Sequence, residues 1–325
     1  MITLRAYHPN DAKLLEQVRN QCGGVDGIDT LSNLNRPPTA IDIHKLALGA
    51  GERDGSGFVV AEIDTEVVGY ASIRSWSEGV ARIYLHDGHV LPRARQHGVG
   101  TALVLWAEER IRVLAELQGV TAAAIYGANA PSSECDRVQL LTDNGYAQAF
   151  STVEMELLDL SCVPNNPTAE SPFTIRSAEP SDIRKLWALN NVVYAGRAFV
   201  GTPSEADFDE FSDDATDLSL FVVAENAGEP VAFVSSRHSG SYAEVTEVSV
   251  HPGYRRRGLA GELLRRNLTK LRDTGVTQVR LHTNGEDVAG ARSLYEKFGF
   301  TERCTHLRYR KDVVPERVYD SGVGI

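Results

Sequence analysis

Apolar positions along the chain fall into short β-branched runs and longer one-sided stripes, and their order repeats. Phe58–Tyr70 reads FVVAEIDTEVVGY, two apolar runs around Asp64-Thr65. Phe221–Phe233 reads FVVAENAGEPVAF, with the same first five residues and Ala227-Gly228 between its runs. Apolar runs of this length joined by a short polar or Gly-containing step predict strand, tight turn, strand. Two further echoes follow in register. Val90–Val104 (VLPRARQHGVGTALV) matches Val250–Leu264 (VHPGYRRRGLAGELL), and Leu140–Phe150 matches Leu294–Cys304 more loosely. Three echoes in one order at nearly constant offset predict two copies of one domain, at a period too long for a solenoid.

Between the copies, Asp159–Pro172 (DLSCVPNNPTAESP) is rich in Pro, Asn and Ser and lacks periodicity, which reads as a linker. The expected domains are therefore residues 1–158 and 173–325, with 159–172 joining them. In the second copy the pattern predicts an opening strand at Thr174–Arg176 and helices near Pro180–Tyr194 and Pro203–Asp213. Strands follow at Leu218–Glu225, Pro230–Arg237 and Ala243–His251. Gly258–Asp273 carries Leu259, Leu263, Leu264, Leu268 and Leu271 on one side, a helical stripe. A strand at Gln278–Thr283, a helix at Val288–Phe298 and strand material to Tyr309 complete a mixed α/β domain.

The bulk numbers narrow the function classes. At 325 residues the chain has room for two ordinary domains. A net charge of −11 argues against extended nucleic-acid or anionic-membrane binding, which needs a broad basic surface, and leaves room for a local anion site. The four cysteines, Cys22, Cys135, Cys162 and Cys304, are scattered without a C-x-x-C pair, so neither a disulfide framework nor a zinc knuckle is expected and a reducing cytoplasm fits. No secretory pattern opens the sequence, and no apolar run approaches the ~20 residues needed to span a bilayer. His251 and His282 read as strand-end or packing residues, and without paired histidine spacing no metal is expected.

Against that acidic background Arg255, Arg256 and Arg257 stand together between a strand and a helix. Basic runs are usually solvated faces, and Arg265 and Arg266 further along the helix fit that reading. At a strand-to-helix turn, however, the first helical N–H groups converge on one point, where the helix dipole favours an anion such as a pyrophosphate. Gly258 and the small Ala260 let a ligand approach the backbone, and arginines add charge-assisted contacts. The loop lacks the Lys-Ser/Thr of a Walker A motif, because Leu259-Ala260 follows Gly258, and there is no G-x-G-x-x-G at this junction. What remains is R-x-x-G-x-A at Arg255–Ala260 and R-x-x-G-x-G at Arg95–Gly100.

These hexapeptides, each preceded by Val-x-Pro and by the Phe-Val-Val-Ala-Glu hairpin, resemble the GNAT superfamily of acyl-CoA-dependent N-acetyltransferases. ARSLYEKFGF (Ala291–Phe300) closes the pattern in the second copy. The resemblance covers nearly the whole chain, as two tandem domains similar to acetyltransferases of the mycothiol synthase kind. It implies, in each domain, a mixed, mostly antiparallel central sheet flanked by helices. It also implies acetyl-CoA as co-substrate, bound at Val248, Val250, Arg255, Arg256, Arg257, Gly258, Leu259 and Ala260. The matching positions of the first copy are Val90, Arg95, Gln96, His97, Gly98, Val99 and Gly100.

Acyl transfer to an amine needs a base or proton wire, because an alkyl ammonium with a pKa of roughly 10.4 is protonated at neutral pH. The resemblance implies Glu247 as base, directly or through water. A solvated strand carboxylate reads equally well there, and Glu244 is a similar candidate. It also implies Tyr295 as the acid that protonates the departing sulfur, where helical spacing alone would give a core tyrosine. The main-chain N–H of Val250 is the implied polariser of the carbonyl. Family members often carry an Asn before the last helix, whereas here Asn284 stands early and Asp287 is nearer. In the first copy Leu141 falls opposite Tyr295, and Asp87, flanked by His86 and His89, falls opposite Glu247. The first domain is therefore expected to bind coenzyme A or support the fold, without full catalysis.

The expected acceptor is a primary amine of a small molecule, such as an amino sugar, antibiotic or amino-acid derivative, with a cysteinyl pseudo-disaccharide as the alternative. A reading of another class is a non-catalytic acyl-CoA sensor or assembly module. Tyr194, Arg197 and Phe199 could line an acceptor pocket or belong to an ordinary amphipathic helix pair. Nucleic-acid and membrane partners are not expected, and the chain would be a monomer or homodimer.

Overall fold

The two Phe-Val-Val-Ala-Glu runs turn back on themselves as left-handed pairs. Asp64 and Thr65 have φ of 48° and 72°, and Ala227 and Gly228 have 53° and 82°. Two consecutive positive φ values make a type I′ turn, whose twist matches the strands it joins. In this computed structural model the described residues are 1–27, 37–49, 56–120, 123–163, 172–195, 200–201, 203–214, 217–286 and 290–313. The chain divides into two compact units, one made of residues 1–149 and 307–325, the other of residues 150–306.

Unit 1 holds β1 (Ile2–Arg5), α1 (Ala12–Asp26), α2 (Ala40–Gly49), β2 (Phe58–Ile63), β3 (Glu66–Glu78), β4 (Ala81–Val90), α3 (Val99–Leu117), β5 (Ala124–Pro131) and α4 (Cys135–Asp143). Its sheet runs β1-β2-β3-β4-β5 and ends on the final residues of the last strand. Unit 2 holds most of β6 (Ala147–Leu157), then β7 (Thr174–Ser177), α5 (Ile183–Tyr194), α6 (Glu205–Asp214), β8 (Val222–Asn226), β9 (Glu229–Ser239) and β10 (Tyr242–Val250). It continues with α7 (Leu259–Asp273), β11 (Gln278–Asn284), α8 (Ala291–Lys297) and the start of β12 (Thr301–Asp312). Its strand order is β12-β6-β11-β10-β9-β8-β7. Each sheet is mixed and mostly antiparallel. The parallel pairs are β4 with β5 and β10 with β11.

The units are drawn differently from the sequence repeats. β6 closes the first repeat in sequence yet pairs with β11 in unit 2, and the residues of β12 from Leu307 onward belong to unit 1. The start of the expected linker is also built in: Leu160 and Val163 are buried in the core of unit 2. A Pro/Asn-rich stretch signals a lack of periodicity, and two isolated apolar anchors within it carry no periodic signature. Residues 164–171 lie outside the described residues.

Each Phe-Val-Val-Ala run is apolar throughout because both faces of its strand are covered. Val222 and Ala224 meet Leu263, Leu264 and Leu268 of α7, while Phe221 and Val223 meet Leu186, Leu189 and Val193 of α5. In unit 1, Val59 and Ala61 pack with Val99 and Leu103 of α3, and Phe58 and Val60 with Leu15, Ile43 and Ala47 of α1 and α2. All five leucines of the α7 stripe are buried. Each contributes on the order of 1.5–3 kcal/mol relative to exposure, which fixes the helix against the sheet and so the position of its N-terminus.

One irregularity positions the site. The parallel register of β10 with β11 runs from Tyr242↔Gln278 to Val245↔Leu281, yet β10 continues to Val250 and β11 to Asn284. The two strands splay, and a bulge between Val245 and Glu247 re-aims β10 at that point. In unit 1 the β4–β5 register likewise ends at Leu85↔Gly127, without a bulge in β4.

Candidate functional site

Past the splay, β10 offers main-chain groups to open space. The N–H of His251 donates to Val231 O at 2.9 Å, so it points toward β9. Successive N–H groups alternate along a strand, which turns those of Val248 and Val250 into the gap. The strand then passes through a 3-10 turn at Pro252–Tyr254, and Gly258, at φ 79°, starts α7. Arg256 is also left-handed at φ 63°. Arg255, Arg256, Arg257 and Gly258 are exposed, and no ion pair to the three arginines occurs among the described residues. Arg255 Nε donates to Val250 O at 3.3 Å, and the Arg257 guanidinium lies 5.3 Å from the Tyr254 ring centroid. Arg265 and Arg266 behave differently. Both pair with Glu262, at 2.8 and 2.6 Å, so only the first basic group keeps its charge for a ligand.

Beside the bulge, Glu247 is half-buried and accepts a hydrogen bond from the Tyr194 hydroxyl at 3.1 Å. Ser249 Oγ donates to Asn190 Oδ1 at 2.6 Å, so the last turns of α5 are tied to the splayed segment of β10. Glu244, the other candidate carboxylate, is buried and held below the ordinary carboxylate range. Burial alone would raise it, but contacts from His282 and Arg237 outweigh that. Tyr295 on α8 is buried, with its ring edge-on to Phe300 at 6.1 Å between centroids. Its packing place is a core position, as helical spacing implied, and Leu141 fills the matching place in unit 1. Arg197, Phe199 and Asp287 lie outside the described residues, and Asn284 ends β11 with its Oδ1 accepting from the N–H of Glu286.

Unit 1 repeats the backbone and changes its contents. Gln96 and Gly98 are left-handed at φ 62° and 83°, as Arg256 and Gly258 are, and α3 starts at Val99. Arg95 Nε donates to Val90 O at 3.2 Å, but its two Nη groups make a bidentate pair with Asp26 at 2.6 and 2.7 Å. His97 Nδ1 lies 2.6 Å from Arg95 O. Gly100 stands where a Cβ would meet Leu140 Cδ2 at 3.1 Å. The gap between β4 and β5 holds Arg137 of α4, whose guanidinium donates to Gly88 O on β4 and to Asn129 O on β5, bridging the splayed strands. Asp87 is drawn into the same group. His89 Nε2 is 3.0 Å and Arg137 Nη2 3.4 Å from its carboxylate, which these charges hold well below the ordinary range against burial. A cavity of ≈ 60 Å³ lies between Asp87, Asn129, Arg137 and Leu103.

A left-handed loop leads from a strand into a helix at both sequence motifs, and a strand splay accompanies each. The family model described as acetyltransferase (GNAT) family matches residues 29–135 and again 188–300. The chain belongs to the GNAT acetyltransferase family. It is thus an acyltransferase of a family that draws its acyl group from acetyl-CoA. Along most of its length it is similar to the mycothiol acetyltransferase of Sanguibacter keddieii, 26% identical over 92% of this chain and 94% of the relative. Among solved structures it is similar to a GCN5-related N-acetyltransferase from Sphaerobacter thermophilus, with a TM-score of 0.76, 22% identity and 97% and 96% of the two chains covered. A tandem GNAT protein from the clavulanic acid biosynthesis pathway gives a TM-score of 0.65 at 14% identity, over 97% and 99% of the chains. At these identities the two structures speak for the tandem GNAT fold. No helix among the described residues is long and apolar enough to cross a membrane.

Within this GNAT fold Glu247, Val248 and Val250 lie on the splayed end of β10, the Arg255–Ala260 segment follows it into α7, and Tyr295 of α8 packs in the core of the same unit. Sequence reasoning misses one residue in each unit. Tyr194 was named as a pocket residue but not as the partner of Glu247. Arg137 carried no signal in sequence, because only the fold places α4 across the β4–β5 gap.

Proposed function

We propose that unit 2 is the working N-acetyltransferase and that unit 1 is a closed copy which does not take acetyl-CoA. The observation that carries this is the contrast at one aligned position. Arg137 bridges the splayed strands in unit 1, whereas Ala291, too short to reach across, stands at the matching place on α8 in unit 2. The neutralisation of Arg95 by Asp26 supports the same division.

In this reading the diphosphate of acetyl-CoA lies over the start of α7, held by the first-turn N–H groups and by Arg255, Arg256 and Arg257. The main chain of Val248 and Val250 receives the arm that leads to the thioester, and the Val250 N–H polarises its carbonyl. Glu247 takes the proton of the incoming ammonium, directly or through water. The amine nitrogen attacks the carbonyl carbon, the N–C bond forms, the C–S bond breaks, the thiolate takes the Tyr295 proton, and the proton shed by the new amide nitrogen restores the tyrosine, directly or through water. The acceptor is a primary amine of a small molecule. The full-length likeness to a mycothiol acetyltransferase makes a cysteinyl pseudo-disaccharide the second acceptor to try.

Two measurements test the proposal. Calorimetric titration should give one acetyl-CoA per chain. Thiol release from acetyl-CoA across a panel of amines should fall at least a hundredfold in Tyr295→Phe, about the ~10²–10⁴ that general acid–base catalysis supplies, with binding retained. Two sites per chain, or full turnover in Tyr295→Phe, defeats the assignment. Binding without thiol release for any amine favours an acyl-CoA-binding module.

A further inference from the structure

We infer that unit 2 carries a second site, for a divalent transition-metal ion of the Zn²⁺ class, formed by Glu154, His282 and His306. The three residues come from three neighbouring strands. Glu154 on β6 is directly opposite His282 on β11, and His306 is on β12, the strand on the other side of β6. Directly opposed side chains project to one face, and one potential ligand atom from each residue lies within 4.8 Å of the other two. His306 Nε2 is 3.4 Å from Glu154 Oε2, and the two imidazole rings meet edge to face at 61°.

The orientation of His282 is the observation that points to a ligand. Its Nδ1 lies 3.3 Å from Glu244 Oε1, and Arg237 Nη2 holds Glu244 at 2.9 Å. A carboxylate at Nδ1 fixes the proton there and leaves Nε2 as a lone pair, the arrangement that supports metal-bound histidines. His282 Nε2 is buried and has no hydrogen-bond partner among the described residues. A buried acceptor left unmet is costly, and a cation shared with Glu154 and His306 satisfies it. Glu154 and His306 are almost wholly inaccessible, while the His282 side chain is 20% exposed, which gives an ion its way in.

The surrounding charges decide which ion. Glu154 also faces Arg280 at 3.4 Å and Arg303 at 3.8 Å, and Glu156 faces both at 3.5 Å. The carboxylates of Glu154, Glu156 and Glu244 are therefore balanced by Arg237, Arg280 and Arg303. With no surplus negative charge, binding rests on the two imidazole nitrogens, which select Zn²⁺, Co²⁺ or Ni²⁺ over Mg²⁺ and Ca²⁺. Sequence spacing gave no hint of this, because the pairing runs across strands.

The test uses the full-length protein, stripped with chelator and titrated with Co²⁺, and none of its readouts depends on acetyl transfer. One Co²⁺ per chain is expected, with visible d–d absorption that Zn²⁺ abolishes and Mg²⁺ does not. His282→Ala, at the partly exposed ligand, should weaken binding at least tenfold, and Glu244→Gln by about 10–100-fold. Melting of each metal-free variant checks folding, and Zn²⁺ should raise the melting temperature of the wild type but not of His282→Ala. If His306→Ala does not fold, the His282 and Glu244 variants decide. Absence of Co²⁺ absorption overturns the inference, as does affinity unchanged in both variants, which would mean an adventitious ion only.

Discussion

Gly258 lets the proposed cofactor loop be separated from its copy by a single methyl group. Its φ of 79° is left-handed, and a Cβ built there meets nothing within 4 Å, so Gly258→Ala adds strain without a clash. Gly98 is matched to it, at φ 83°, with Ile2 Cδ1 at 3.7 Å as its nearest neighbour, an ordinary contact. A left-handed non-glycine residue costs roughly 1–2 kcal/mol. For units of this size, that lowers the melting temperature by roughly 2–8 °C. Both variants should show this loss equally.

Their effects on the cofactor should diverge. The new methyl at position 258 enters open space at the start of α7, where under the proposed placement it would hold a phosphate off at least one first-turn N–H. A charge-assisted hydrogen bond is worth about 1.5–3 kcal/mol. The loop is exposed, so the lower figure applies and acetyl-CoA should bind about tenfold more weakly. In Gly98→Ala the affinity should stay as in the wild type if, as proposed, Arg137 and the Arg95–Asp26 pair close that copy. Calorimetric titration with acetyl-CoA, beside thermal melts, reads both quantities without an acceptor. A Gly258→Ala protein that melts lower but binds normally would refute the placement of the diphosphate. Equal weakening in Gly98→Ala would refute the closure of unit 1.

Two pH effects follow from hydrogen bonds already described. The Tyr194 hydroxyl donates to Glu247, and such a bond favours the charged form of a carboxylate; with Glu247 as the proposed base, Tyr194→Phe should move the acid limb of the kcat/KM profile upward while the rate on the alkaline side holds, and an unmoved limb would separate Tyr194 from Glu247. Burial lowers His86 of unit 1 to about 4 from an ordinary 6.5, so as pH falls between those values the unfolded chain takes up a proton that the folded chain does not. That costs about 1.4 kcal/mol per pH unit, on the order of 3 kcal/mol across the window. Stability should therefore decline on acidification from about pH 6.5, and His86→Gln should flatten the decline in urea midpoints measured near pH 7 and pH 4.5; an unchanged slope would count against the assignment.

The parts of the molecule legible in the sequence are those set by local chemistry. The I′ hairpins at Asp64-Thr65 and Ala227-Gly228, the five-leucine stripe of α7 and the left-handed glycines that open α3 and α7 each follow from residues close together in the chain. What the letters conceal is set by register between distant strands. β6 and β12 place their residues outside the repeats that contain them in sequence, because an antiparallel strand pairs wherever an edge of matching register is free. The same rule brings Glu154 beside His282 and His306, and no motif spacing encodes that meeting.

The proposed closing of unit 1 illustrates why a motif and a site differ. Arg95-x-x-Gly98-x-Gly100 keeps the loop backbone, since the positive φ values at Gln96 and Gly98 depend on only a few residues. The charge left on that loop depends on Asp26, from the end of α1, and the splay beside it on Arg137, from α4, both far from it in sequence. A guanidinium that satisfies the carbonyls of Gly88 and Asn129 gives the splayed strands the hydrogen bonds that a bound ligand would otherwise supply. A copy released from cofactor binding gains stability by such a bridge, and a copy that must admit cofactor cannot keep one. In the proposed division, Arg137 in unit 1 against Ala291 in unit 2 is the substitution by which one fold would separate into a support and a site.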